Sequence, residues 1–139
     1  MKGLDNLIRL HRWQLDEKRR HLVELERLAQ RLAAQIHDLE VEIRNEQQFA
    51  ESSTEAARTY GDYVQAAIGR REKLDASLAG LQSQRVVAKE GVAEAYSELK
   101  KYELVKVRNQ RLANKRRQRQ EQQVLDEVGL NQFRRRDNR

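Results

Sequence analysis

The sequence contains neither cysteine nor proline. Without cysteine there is no disulfide framework and no thiolate chemistry. Without proline, nothing obliges a helix to stop. Histidine is scarce: His11, His21 and His37 are spread along one predicted helix, too far apart to converge on a zinc ion. Aromatic residues make up 5% of the 139 residues, too few for a thick globular core. No apolar run approaches the ~20 residues needed to span a bilayer. The start of the chain lacks a signal peptide's apolar segment. These absences point to a soluble, cytoplasmic chain. There is also no Gly-rich phosphate loop, no H-E-x-x-H and no plausible Ser/His/Asp arrangement. We therefore expect no catalytic residues, no metal, no cofactor and no small-molecule substrate.

What the sequence does have is charge and periodicity. Charged residues reach 36%, a polarity that by itself suits disorder. The apolar residues are nevertheless ordered along the chain. Steps of four and three visit Leu4, Ile8, His11, Leu15, Lys18, Leu22, Leu25, Ala29, Leu32, Ile36, Leu39, Ile43, Glu46 and Ala50, and eleven of these fourteen are apolar. A 3.5-residue period held this long is the seam of a supercoiled helix, and only another helix covers it evenly. Helix 1 is expected over about 4–50, a length of roughly 75 Å. Asp16 with Arg20, and Glu40 with Arg44, have the spacing of pairs that support such a helix from its solvated side.

Between residues 51 and 62 the pattern weakens. Ser52, Ser53 and Thr54 cluster there, Ser52 with Glu55 has the spacing of a capping box, and Gly61 offers a second break. A reversal is expected in 51–62; the alternative is one uninterrupted helix. A second seam follows: Tyr60, Val64, Ala67, Arg71, Leu74, Leu78, Leu81, Arg85, Ala88, Val92, Ala95, Leu99, Tyr102, Lys106, Asn109 and Ala113. Twelve of these sixteen are apolar or Tyr. Two comparable stripes joined by a short break predict an all-α fold, two long helices in an antiparallel coiled-coil hairpin. It forms one domain over 1–139, with helix 2 over about 63–128, Gly129 as its cap and a frayed basic tail at 130–139. A dimer that pairs helices between chains satisfies the same stripes. The polar seam positions either snorkel to the rim, fix register or serve a partner.

The net charge of +6 is uneven. Residues 1–60 carry ten Lys/Arg against eleven Asp/Glu, and residues 61–139 carry eighteen against eleven. An electrostatic partner should be acidic and should meet the second half. If the bend lies near residue 56, Leu4 falls opposite about residue 108, and helix 2 outruns helix 1. The run 106–119 holds Lys106, Arg108, Arg111, Lys115, Arg116, Arg117 and Arg119 and no acidic residue. It reads as a solvated face, a nucleic-acid contact or a dock for an acidic protein surface. The absence of interleaved aromatics and of a recognised nucleic-acid fold weighs against the second. Trp13 lies off the seam, either packed on its rim or as a binding hot spot.

The opening LDNLIRLHRWQLDEKRRHLVELE (4–26), YGDYVQAAI (60–68), SELKKYE (97–103) and LDEVG (125–129) with its basic tail resemble, in order and spacing, the FliJ family. These are small coiled-coil proteins of the flagellar type III export apparatus. The resemblance implies a stalk-like hairpin, similar to the gamma subunit of rotary ATPases. It implies binding to the ring of the export ATPase FliI, promotion of its hexamerisation, a link to the export gate protein FlhA, and escort of export chaperones. It also implies a cytoplasmic protein peripherally associated with the inner membrane at the flagellar base. The gate contact would fall near the start of helix 2, on Tyr63, Ala67, Arg70 and Leu74, although Arg70 departs from the small apolar residue expected there. The end carrying both termini would meet the ATPase ring, through Trp13, Lys106, Arg108, Arg111, Lys115, Arg116, Arg117 and Arg119. The alternatives are a nucleic-acid-binding coiled coil using 106–119, or the homologous stalk of a virulence secretion system.

Overall fold

A computed structural model describes residues 2–138. The fold is all-α, with two long helices packed against each other: α1 (Lys2–Ala50, 49 residues) and α2 (Thr54–Asp137, 84 residues). The reversal is confined to Glu51–Ser53. It needs no glycine, since no described residue has a positive φ. Ser52 closes the end of α1: its amide and its hydroxyl both donate to the Phe49 carbonyl. Ser53 opens α2, its hydroxyl accepting from the Ala56 amide at 3.1 Å. The cap is thus Ser53 and not Ser52, because only Ser53 stands immediately before the first helical residue.

Two expected interruptions do not occur. Gly61 lies inside α2, which begins at Thr54 and not near 63. Gly129 does not end it either; the helix continues to Asp137, through the segment expected to fray. Glycine stops a helix by adopting a left-handed conformation, and Gly129 does not adopt one. Residue 139 lies outside the described residues.

The chain divides into two compact units, and each is described by itself. One is Trp13–Tyr96. Its interior is the expected seam: Leu15, Leu25, Ala29 and Leu39 of α1 and Ala67 and Leu81 of α2 are buried. Leu25, Ala29 and Leu81 form a cluster against which Leu32, Leu78 and Ala88 pack. Ala56, near the turn, is also buried. Three polar seam positions, Lys18, Glu46 and Arg71, stay exposed, as long stems on a narrow seam allow. Arg85 is half-buried, with its Nε screened from solvent and unpartnered.

Ion pairs between the helices border this seam: Arg70–Glu42 at 3.7 Å, Arg71–Glu40 at 2.7 Å and Arg85–Glu26 at 4.0 Å. As the residue number rises on α2 it falls on α1, so the helices run antiparallel. Glu40 therefore serves Arg71 across the seam, not Arg44 along its own helix. Arg20 likewise pairs with Glu17 at 2.7 Å and not with Asp16. A pair this exposed contributes at most about 1 kcal/mol. Together they discriminate between registers that the apolar seams leave equivalent. A slip by one heptad keeps apolar against apolar, yet sets Arg85 opposite Arg19 in one direction.

The other unit is the chain up to Arg12 with the chain from Ser97 on. Ile8 and Leu99 are its buried residues, and Leu4, Val105 and Asn109 are half-buried beside them. His11 stacks on Tyr102, with ring centroids 4.7 Å apart and an interplanar angle of 23°. Lys106 Nζ pairs with Asp5 at 2.9 Å, and Arg12 with Glu103 at 3.5 Å. From Gln110 to Asn138 every residue is exposed, including Ala113, the last expected seam position. Nothing in α1 reaches that far.

Leu25→Ala is expected to cost about 2–3 kcal/mol, the low end for a buried leucine because the seam is thin. Leu25→Asp should cost more, since it buries an unpaired charge. Thermal melts followed by circular dichroism test this; equal stability of Leu25→Asp and the parent would refute the assigned register. Ser53→Ala should cost about 1 kcal/mol through the lost cap, whereas Ser52→Ala should cost less.

Candidate partner-binding surfaces

The residues expected at the export gate fall on both sides of the seam. Ala67 is buried, with 0% of its surface exposed, and Leu74 is half-buried. Both occupy expected seam positions, so Ala67 presents no free surface and Leu74 only part of one. The same four-and-three spacing that marks a binding stripe also marks the seam. Arg70 is exposed and pairs with Glu42 across the helices. Tyr63 lies half-buried at the rim, its ring 6.4 Å from that of Tyr60. Burial pushes the Tyr63 phenol pKa up, and the neighbouring Glu42 carboxylate pushes it the same way. Its hydroxyl is screened from solvent and makes no hydrogen bond of ordinary geometry.

The residues expected at the ATPase are exposed, with one exception. In the Trp13–Tyr96 unit, Trp13 is 60% exposed. A tryptophan left this open gains little from its own fold and offers a large apolar face to a partner. In the other unit, Lys106 is half-buried and committed to Asp5, which belongs to the hairpin rather than to a docking face. Arg108, Arg111, Lys115, Arg116, Arg117 and Arg119 are exposed on the uncovered part of α2. The paired charges in this unit titrate as paired charges do. The Lys106 ammonium holds the Asp5 carboxyl below its usual range, Lys101 does so for Glu98, and Lys100 for Glu103. Lys101 is pushed up by Glu98 in return.

Besides its basic residues this arm carries Val124, Leu125 and Val128, a short apolar face around Asp126 and Glu127, and Leu112, Leu130 and Phe133, which fall on neither seam and which sequence reading missed. All six are exposed. Their spacing from the arginines, not from the seam, is the signal that would have found them. Among the described residues no cluster of side chains is suited to hold a metal ion, and no helix is long and apolar enough to cross a membrane. The depressions along the helices are open grooves; one in the Trp13–Tyr96 unit is lined by Lys18, His21, Val87, Gly91 and Glu94. Surfaces of this kind offer charge and apolar contact to a partner.

Residues 1–138 match the family described as "Flagellar FliJ protein". No curated protein matches, and no solved structure matches. The match covers essentially the whole chain, so the chain belongs to that family, whose members are components of the flagellar export apparatus.

The carboxylates of the second unit generate a pH prediction. Their folded pKa values are depressed, so their stabilisation is present above the ordinary carboxylate range near pH 4 and is lost as pH falls through the depressed values. Asp5→Asn should flatten the acid side of a melting-temperature profile, and high salt should do the same to the parent. An unchanged acid limb in Asp5→Asn would show that the Lys106 pair contributes nothing.

Proposed function

We propose that this member of the flagellar FliJ family works as a stalk between the export ATPase and the export gate. The uncovered basic arm of α2 binds the ring of the ATPase FliI and promotes its assembly as a hexamer. A surface near the start of α2 meets the gate protein FlhA, and the protein escorts export chaperones while associated peripherally with the inner membrane at the flagellar base. The observation that carries this reading is the arm itself. It is a regular helix of a family member whose six basic side chains, Arg108 to Arg119, face solvent without an ion-paired carboxylate among the described residues.

A stalk that touches several subunits needs long charged stems that make weak, replaceable contacts, and the arm supplies them. Its charge also favours fast, salt-dependent association with an acidic surface. At the gate end, burial of Ala67 moves the proposal outward, to Arg70 and the rim of Tyr63, with Leu74 as its inner edge. Trp13 is proposed as an apolar contact of its own unit.

The test is ATP hydrolysis and ring formation by purified FliI with the chain added. Combined Arg116→Glu, Arg117→Glu and Arg119→Glu should leave helicity unchanged and weaken stimulation by about tenfold or more at low salt. Full stimulation by this variant would reduce the basic run to a solvated face. A parallel titration with duplex DNA covers the competing reading: no ATPase effect together with tight, salt-sensitive DNA binding would sink the stalk.

A further inference from the structure

The uncovered arm of α2 presents one coherent strip. From Arg108, steps of four and three reach Leu112, Lys115, Arg119, Gln122, Asp126, Leu130 and Phe133. On a helix of 3.6 residues per turn these positions share a face, about 37 Å long. The strip is ordered: basic residues fill its first half, an apolar side chain sits within them, and two more close its far end. Leu112 is 49%, Leu130 58% and Phe133 67% exposed. Gln122 Nε2 donates to Asp126 Oδ1 at 3.1 Å, so the polar stretch between the two ends is partly satisfied within the strip. No ion pair engages Arg108, Lys115 or Arg119 among the described residues.

The chain itself shows how such a strip is covered. In the Trp13–Tyr96 unit, each ion pair between the helices takes its base from α2 and its carboxylate from α1: Arg70–Glu42, Arg71–Glu40 and Arg85–Glu26. In the other unit, Lys106 of α2 takes Asp5 of α1. In four of the five ion pairs between α1 and α2 among the described residues, then, the covering helix supplies the carboxylate; Arg12–Glu103 is the reverse case. Beyond Asn109 the basic residues continue and the covering helix does not.

We propose that the strip from Arg108 to Phe133 is a docking site for an acidic amphipathic helix of another protein, which lies along α2 as α1 does. Carboxylates at three- and four-residue spacing meet Arg108, Lys115 and Arg119, and apolar residues at the two ends meet Leu112 and the Leu130–Phe133 pair. A polynucleotide fits the strip less well. Phosphates would satisfy the arginines, yet they would leave three apolar side chains without a role, and no aromatic is interleaved with the bases to stack. A second copy of this arm fits less well still, because it would set the basic run near its like. The proposal shares the arm with the stalk reading but does not need the ATPase. It names the partner's surface, not its identity.

The test uses the full chain and a labelled synthetic helix of leucine heptads flanked by glutamates, followed by fluorescence anisotropy. The controls are the same helix flanked by lysines, and a mixed-sequence DNA duplex. Binding of the glutamate helix at micromolar concentration is expected, with none of the lysine helix. Lys115→Glu with Arg119→Glu should weaken it by about tenfold, and Leu130→Ala with Phe133→Ala by a similar factor. Circular dichroism establishes that both variants keep their helicity. No binding of the glutamate helix overturns the proposal. So does binding that neither pair of substitutions weakens, which would place the peptide elsewhere. Tighter binding of the duplex, weakened by the charge pair but not by the apolar pair, assigns the strip to polyanions instead. ATPase stimulation is not read at all, so failure here leaves the stalk proposal to its own experiment.

Discussion

The unequal length of two helices governs the rest of this structure. α1 ends at Ala50 and α2 runs for 84 residues, so the shorter helix covers the longer one only as far as Asn109. Within the covered part, apolar residues at a 3.5-residue period remove each other from water, and a short tight turn suffices to join them. Beyond it the same helix continues with nothing to bury. The protein therefore separates two tasks along one element. The first stretch of α2 is spent on holding the fold, and the last is free for a partner. Such an uncovered helix is only marginally stable on local propensity, which suits a segment that gains its packing on binding.

Charge divides along the same line. In the covered region α1 supplies carboxylates and α2 supplies bases, with the Arg12–Glu103 pair as the reverse case. The individual pairs are weak because most are exposed. Their value lies in register, since heptad seams are self-similar and charges are not. Where α1 stops, the bases of α2 lose their counterparts and stand exposed, with no change in residue type. Family membership makes the chain a component of the flagellar export apparatus, and the basic arm and Trp13 are the exposed features it presents.

Much of the fold was legible because periodicity is a long-range average. Of the buried residues from Ile8 to Leu99, all but Ala56 were expected on a seam, and the all-α hairpin followed from the two stripes. The ends and breaks were less legible because each depends on a single local choice. Ser52 and Ser53 are chemically alike, and only the position of the turn decides which hydroxyl caps α2. Gly61 and Gly129 look like breaks, but a glycine is only a permission to turn, and helical neighbours on both sides override it. Ala67 illustrates the limit for sites. A seam and a binding stripe share one spacing, so the sequence does not say which of the two a small apolar residue joins. The strip with Leu112, Leu130 and Phe133 escaped because its apolar residues lie on neither seam and are spaced from the arginines instead.

Residue-resolved hydrogen exchange on the full chain, alone and with the export ATPase added, tests the central claim most directly. The account predicts slow exchange along the seam around Leu25 and Leu81, and rapid exchange from Gln110 to Asp137 in the isolated chain. It further predicts that the ATPase slows exchange in that arm and leaves the seam unchanged. An arm as protected as the seam in the isolated chain would contradict the account, and so would an arm that the ATPase leaves untouched.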